Sequence, residues 1–316
     1  MSNNNFTLRI MGSASAMPVV GRNQSAQVLD IRGRLLLIDC GEGLQQALVR
    51  YHVPIQKIEV LLLSHIHGDH VFGIFGLLST MGMLGRSSTL HIFAPGSFGP
   101  ILKFFLSYYG DGLKFDIDFH KVDCPEPEVV WQTRTVEVLA FPLNHKIETY
   151  GYMVREKEPM LNVDKDAIAR YGLTLTEIGT LKRGEDVVRP DGVIPNSEAA
   201  YKPFEPRSYA YVSDTAPFPQ LPGWLSGVDL LYHEATYTEE FTDQAALRHH
   251  STARQAALCA KQAGAGKLLI GHYSSRCRDI AIFERQAREV FPDVTAVSDG
   301  DVFDIPEKAR KTSVQE

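Results

Sequence analysis

The stretch Val60-Leu61-Leu62-Leu63-Ser64-His65-Ile66-His67-Gly68-Asp69-His70 decides the fold of this chain. It begins with an unbroken apolar run, which predicts a buried strand. It ends with three imidazoles and a carboxylate just beyond that strand. Left unpartnered there, each would cost about 2–7 kcal/mol. A metal ion is the simplest group that satisfies them together. If the strand extends through them, His65 and His67 point the same way, and Asp69 and His70 sit in the turn that follows. One loop therefore offers two pairs of ligands to two adjacent ions. Imidazole with carboxylate and no thiolate suits Zn²⁺, with Mn²⁺ or Fe as alternatives.

Four ligands cannot close two sites, so others must arrive at the same structural level. Three further apolar runs end in suitable residues: 138–141 leads to Pro142-Leu143-Asn144-His145, 210–212 to Ser213-Asp214-Thr215, and 268–270 to Gly271-His272. In open α/β sheets, ligands gather outside the carboxyl ends of the strands. Four such ends meeting at one edge would unite His65, His67, Asp69, His70, His145, Asp214 and His272. That is enough for two ions with one bridging group. Asp214 is the natural bridge, since a carboxylate has two oxygens to offer. Taken singly, His145 reads as a surface or capping histidine, Asp214 as a helix N-cap or turn residue, and His272 as a satisfied strand-end histidine.

The 316 residues are 44% hydrophobic and 22% charged, ordinary for a soluble globular protein and enough for one large α/β domain or two smaller ones. With a formal net charge of −6, the bulk field does not attract an anionic partner. Any nucleic-acid contact must use local basic patches. Residues 1–5 are polar and lack an apolar segment, so no secretory signal is expected. No apolar stretch is long enough to span a bilayer. Cys40, Cys124, Cys259 and Cys277 are far apart and form no CxxC pair. They read as isolated thiols in a reducing cytoplasm.

Around the decisive stretch, patterning predicts strands at 6–10, 26–31, 35–39, 58–63, 90–93, 115–122, 136–141, 209–212, 228–232 and 268–270, with a last strand at 294–297. Leu44, Ala47, Leu48 and Tyr51 fall at helical spacing, and further helices are predicted over 71–84, 101–109, 251–263 and 280–291. From about 155 to 207 the chain turns rich in charge, proline and glycine. That predicts an arm, with short helices at 166–173 and 174–181, inserted into one domain spanning 1–316 and built of two stacked α/β halves. A plain surface loop is the commoner fate of such a segment. The polar tail, 307–316, is expected to fray.

With these residues in hand, the chain resembles the metallo-β-lactamase superfamily, whose HxHxDH signature His65 to His70 matches. Within it, the chain is similar to the ribonuclease Z family of tRNA 3′-processing endonucleases. The resemblance runs through Met11-Gly12-Ser13 to Pro18, Asp39-Cys40-Gly41-Glu42-Gly43, Gly151-Tyr152, His233-Glu234-Ala235-Thr236, His250-Ser251-Thr252-Ala253 and His272-Tyr273-Ser274-Ser275-Arg276. His250-Ser251-Thr252-Ala253 is the discriminating element. It sets a non-ligand histidine at the start of a helix, where Ser251 and Thr252 can also serve as N-caps. His249 reads as a bystander. The chain departs from the family in lacking a proline-rich arm tip before Lys182-Arg183-Gly184-Glu185. Leu44 stands where a Thr is usual, and Cys277 where a Tyr is usual.

The resemblance implies an αβ/βα four-layer sandwich. It implies a homodimer in which the arm of one subunit helps hold tRNA for the other. The implied reaction removes the 3′ trailer from a tRNA precursor by phosphodiester hydrolysis, with two Zn²⁺ per chain and Mn²⁺ as the alternative. His65, His67 and His145 would serve one ion, Asp69, His70 and His272 the other, with Asp214 between. Asp69 would also accept a proton, and His250 would protonate the departing 3′ oxygen. Asp39, Glu42 and Glu234 are expected to take the outer N–H of ligand histidines, against plain turn chemistry for the first two. Lys182, Arg183, Arg276 and Arg278 are expected to meet phosphates, against the commoner role of solvated charge. Two rival functions stand beside this one. The first is a metal-dependent hydrolase of small phosphodiesters or sulfate esters. The second is a non-catalytic RNA-binding scaffold, which the intact set of seven ligands disfavours.

Overall fold

The computed structural model describes residues 4–308. The tail predicted to fray lies, beyond Lys308, outside the described residues. Two seven-stranded sheets face one another. The first runs, in spatial order, through Val302–Asp304, Phe6–Gly12, Ala26–Ile31, Arg34–Ile38, Ile58–Leu62, Leu90–Pro95 and Ile117–Val122. The second runs through Val294–Ala296, Lys267–Gly271, Leu230–Glu234, Ser208–Val212, Tyr150–Glu156, Val136–Pro142 and Glu128–Gln132.

The side-chain period of two explains the layering. Leu36, Ile38, Val60 and Leu62 point between the sheets, where they meet Val138, Tyr152, Tyr209 and Leu269 from the other side. Leu35, Leu37, Leu61 and Leu63 point outward and pack under the helices Leu44–Arg50, Gly73–Met83 and Phe98–Tyr109. Covering on both faces is why Val60 to Leu63 is continuously apolar rather than alternating. The second sheet is covered in the same way by Leu221–Trp224, Ala253–Ala263 and Ala281–Arg288. The result is four layers: helices, sheet, sheet, helices.

Several elements escaped the sequence pattern. Tyr150–Glu156 is a central strand and Glu128–Gln132 an edge strand. The last strand is Val302–Asp304, which pairs beside Phe6–Gly12 rather than ending the chain at 294–297. The expected helix 71–84 is broken at Phe72 into Gly68–Val71 and Gly73–Met83. The arm is also shorter than predicted. Arg155 and Glu156 belong to the strand, and the Glu156 carboxylate is buried against Arg207 and Arg32, both at 2.8 Å. Residues 157–206 then fold around a core of their own, Ala167, Leu173, Leu181, Val187, Ile194 and Ala199. Its two longer helices, Lys165–Tyr171 and Leu175–Lys182, are capped by Asp164 and by a Thr174–Glu177 capping box. No helix among the described residues is long and apolar enough to cross a membrane, and all four cysteines are free thiols.

Candidate metal centre

Four strands direct their carboxyl ends to one edge of the sandwich. His65 follows Ile58–Leu62 in the first sheet, while His145, Asp214 and His272 follow Val136–Pro142, Ser208–Val212 and Lys267–Gly271 in the second. The two sheets are tied together at this edge. The Tyr150 N–H donates to the Ser64 carbonyl at 2.9 Å, the Tyr152 hydroxyl to the Leu63 carbonyl at 2.7 Å, and the Tyr211 hydroxyl to Asp39 at 2.7 Å. Local backbone is forced to fit. Asp39, His249 and His272 hold positive φ of 56°, 58° and 63°, a conformation costing about 1–3 kcal/mol apiece in a residue other than glycine. A Cβ at Gly41 would lie 2.6 Å from the Asp69 carbonyl, so the turn after Asp39 can press against the His65–His70 loop only with glycine there.

The seven predicted ligands converge as two groups, one of His65, His67, His145 and Asp214, the other of Asp69, His70 and His272. Asp214 lies between them. Its Oδ2 is 3.5 Å from His65 Nε2 and 3.9 Å from His145 Nε2, and its Oδ1 is 3.6 Å from His70 Nε2 and 3.3 Å from His272 Nε2. His65 Nε2 and His67 Nδ1 approach to 3.0 Å, and His70 Nε2 and His272 Nε2 to 3.3 Å. Ligands around one tetrahedral ion at roughly 2.0–2.1 Å are about 3.3–3.4 Å apart, so the spacing fits.

The outer nitrogens show which way the lone pairs face. The His70 Nδ1–H donates to Asp39 Oδ2 at 2.7 Å and the His145 Nδ1–H to the His249 carbonyl at 2.9 Å. The Thr236 hydroxyl donates to Glu234 at 2.8 Å, so at 2.7 Å it must accept from His272 Nδ1–H. The Ser64 hydroxyl likewise donates to Asp39 at 2.8 Å and is left to accept from His65 Nδ1–H at 3.0 Å. Each of these rings therefore turns its Nε2 inward, toward the other rings and two carboxylates. His145 Nε2 and Asp214 Oδ1 are buried without a hydrogen-bond partner. Orphaned acceptors facing one another repel, and a divalent cation is what relieves them.

The electrostatics agree. Burial pushes the His65, His67 and His145 imidazoles toward the neutral, ligating form. Burial also opposes a charge on His70, but Asp69, Asp214 and Asp39 around it outweigh that and raise it to about 10. A proton there stands where a cation would sit, and metal binding would release it. Asp214 is held well below the usual carboxylate range despite its burial, by His272, His70, His250 and His65.

His250 stands beside this set, with a ring nitrogen within 4.8 Å of ligand atoms of Asp214 and His272. Its Nδ1 lies 3.0 Å from Glu234 Oε1 and its Nε2 4.0 Å from Asp214 Oδ2. Burial opposes its protonation, yet Glu234 and Asp214 raise it to about 9. Glu234 also accepts from the Ser251 N–H at 2.8 Å and the Thr215 N–H at 3.2 Å. Thr252, in a capping box with Gln255, starts the following helix, while the Ser251 hydroxyl donates to the Thr215 carbonyl rather than capping.

Some predicted placements differ. Glu42 is exposed, and only its backbone N–H is tied down, to Gln24. It stands three residues past Asp39 in the same turn and faces the other way. Glu234 reaches a ligand candidate only through Thr236, its direct partner being His250. His249 is no bystander, since its carbonyl holds His145. Arg276 lines the open cleft of about 560 Å³ above the centre, but Arg278 does not. Lys182 and Arg183 are in the arm, Arg183 paired with Glu185 at 3.2 Å. Lys146 and Arg248, which line the cleft with Arg276, were not predicted. Lys146 directly follows His145 and Arg248 lies two residues before His250, which was the available signal.

Residues 6–169, about half the chain, match the family model described as anti-Pycsar protein Apyc1, and over that half the chain belongs with it. The match contains His65 to His70 and His145 but stops before Asp214, His250 and His272. The ribonuclease Z of Porphyromonas gingivalis is 38% identical over 93% of this chain and 97% of its own length. The chain belongs to the ribonuclease Z family. With it, the chain is a hydrolase that cleaves phosphodiester bonds. Its fold is the metallo-β-lactamase fold. Human tRNase Z, short form, superposes with a TM-score of 0.69 at 23% identity, covering 95% of this chain and 99% of that one. The metallo-β-lactamase fold protein YhfI from Bacillus subtilis gives a TM-score of 0.67 at 18% identity, covering 95% and 100%. The fold and the His/Asp groups at this edge point to divalent-metal binding.

Proposed function

We propose that this member of the ribonuclease Z family removes the 3′ trailer from tRNA precursors, leaving a 3′-hydroxyl on the tRNA and a 5′-phosphate on the trailer. The observation that carries the reading is the division of Asp214, one oxygen facing each ligand group, with His250 beside it in an open cleft. His65, His67 and His145 with Asp214 Oδ2 would hold one Zn²⁺, and Asp69, His70 and His272 with Oδ1 a second. Mn²⁺ suits the same donors. When bound, such ions offset charge on a phosphate and lower the pKa of water to about 7.

The chain's own residues do the rest. The Asp69 carboxylate, on the floor of the cleft, accepts the proton of the attacking water. His250 Nε2 faces the cleft while Glu234 fixes Nδ1, so it is oriented to give a proton to the departing 3′ oxygen. Lys146, Arg248 and Arg276 supply positive charge for flanking phosphates. That is the local basic patch which a chain of net charge −6 needs in order to hold RNA. The separately cored segment 157–206 acts as the tRNA-gripping arm, working across a homodimer. Four free cysteines suit a cytoplasmic enzyme.

The test is to incubate a tRNA precursor with the protein and Zn²⁺ or Mn²⁺, and to map the cut relative to the discriminator base. A cut on its 3′ side with a 5′-phosphate on the trailer supports the reading. An untouched precursor alongside fast hydrolysis of a bis-aryl phosphodiester refutes it in favour of a small-ester hydrolase.

A further inference from the structure

A second cluster of metal-binding side chains lies away from the cleft, on the first sheet. His91 sits in Leu90–Pro95, and Asp118 and His120 sit in the neighbouring edge strand Ile117–Val122. The strands are parallel, and their register sets His91 directly opposite Asp118. Asp118 and His120 are two residues apart and so share a face. That face is the inner one, since Phe93 and Val122, in step with His91 and His120, pack between the sheets. His91 and His120 are partly exposed there and Asp118 is exposed.

His91 Nδ1 is 3.2 Å and His120 Nε2 is 2.9 Å from the same oxygen, Asp118 Oδ2. One ligand atom from each residue lies within 4.8 Å of the other two. The His120 ring is held flat against Phe93, with centroids 4.4 Å apart and planes 8° from parallel, which fixes where Nε2 points. That nitrogen is buried, and despite its nearness to Asp118 it makes no hydrogen bond. A fixed, buried imidazole nitrogen converging with a second imidazole nitrogen on one carboxylate oxygen sets three donor groups close enough for a single ion. Two imidazoles and one carboxylate suit a late first-row divalent ion such as Zn²⁺, with the remaining positions open to water.

We propose that His91, Asp118 and His120 bind one further divalent ion, independent of the centre in the cleft. It would clip the edge strand Ile117–Val122 to its neighbour at the side of the sheet where no other strand supports it.

The test compares the native protein with a His91→Asn/His120→Asn double variant and, separately, with Asp118→Asn. Each is stripped with a chelator, dialysed to equilibrium against micromolar free Zn²⁺, and its bound zinc counted per chain. The native chain should hold one equivalent more than either variant, whatever number the cleft takes. Phosphodiester cleavage should be the same in all three, which shows that the variants are folded and the cleft loaded. The ¹⁵N resonances of His91 and His120 should also shift on adding Zn²⁺ to the native protein. Equal zinc content in all three proteins, or unmoved His91 and His120 resonances, would make the cluster an ion pair only and overturn the proposal.

Discussion

Asp39 touches neither the cleft nor any candidate ligand atom, yet its replacement by Asn should weaken metal binding on one side of the centre. The Asp39 Oδ2 accepts from His70 Nδ1 at 2.7 Å, the Tyr211 hydroxyl at 2.7 Å and the Ser64 hydroxyl at 2.8 Å, while Oδ1 accepts from the Ser64 N–H at 2.7 Å. An amide can keep only one of these two acceptor sites. The cheaper orientation leaves its oxygen with three donors and sets its NH₂ against the Ser64 N–H. That removes one hydrogen bond to a charged group, worth about 1.5–3 kcal/mol, and roughly halves the strength of the three that remain. His70 then loses the anion that orients its ring and supports its inward lone pair. Loss of such a partner typically costs about 10–100-fold in metal affinity. The assay is competition for Zn²⁺ against a chromophoric chelator. The expectation is that one class of site weakens by that factor while the class served by His65, His67 and His145 is unchanged. Tyr211→Phe is the control. It removes one bond from the same oxygen without touching His70, so it should cost stability of about 1.5–3 kcal/mol and leave zinc affinity within a few-fold. If Asp39→Asn leaves affinity unaltered, or Tyr211→Phe weakens it as much, His70 is not held as argued.

Three further outcomes follow from the same geometry. His250→Ala should keep its metal content by elemental analysis while single-turnover cleavage of a tRNA precursor falls by about 10²–10⁴-fold; lost metal would make His250 a ligand instead. Lys146→Ala and Arg248→Ala should each raise KM and reduce the salt dependence of precursor binding by about one charge, and an unchanged slope would remove them from the phosphate path. Glu156 is buried, which raises its carboxyl, but Arg207 and Arg32 outweigh burial and hold it below the usual range. It therefore contributes stability above its unfolded pKa, about 4.3, and that contribution is lost as pH falls through the lower folded value. Glu156→Gln should cost about 3–5 kcal/mol at neutral pH in denaturant titration and flatten the fall in stability below pH ~4; an acid limb as steep as before would place the titration elsewhere.

The parts of this molecule legible in its sequence are those where one residue's surroundings are set by its own strand. Val60 to Leu63 is apolar because both faces of that strand are covered, and the ligands at its end follow from that. His145, Asp214 and His272 were singled out as candidate ligands by the same rule, and the fold brings them to the same edge. The rule failed where orientation depends on backbone conformation or on a distant chain. Asp39 and Glu42 are carboxylates in one turn, and only the positive φ of Asp39 turns it inward. His249 matters through its carbonyl, which no side-chain pattern displays. Tyr150–Glu156 was missed because the chain before it, 143–149, reads as loop, and because Gly151 interrupts the strand's apolar run. The division of labour between Glu234 and Thr236 depends on Ala253–Ala263 packing against the second sheet, a contact made far along the chain.

The placement of buried charge bears on how many ions the centre holds. Four carboxylates lie in or directly behind it, Asp39, Asp69, Asp214 and Glu234, each less than a tenth exposed. The two sheets contribute alike. Asp39 follows a central strand of the first and braces His70, with Ser64 linking it to His65. Glu234 ends a central strand of the second and braces His250, with Thr236 linking it to His272. Uncompensated, four buried anions would be prohibitive, since a lone buried charge costs several kcal/mol even after relaxation. With neutral ligand imidazoles, one divalent ion would leave two negative charges buried, and the centre would repel a phosphodiester. The two divalent ions proposed above would cancel all four. A protonated His250 then leaves the centre one positive charge in excess, and an RNA phosphate brings one negative charge. The same charge balance explains why each bracing group is an acid rather than a neutral acceptor: Asn or Gln at 39 or 234 would hydrogen-bond in part, but would leave the metal charge uncovered until substrate arrived.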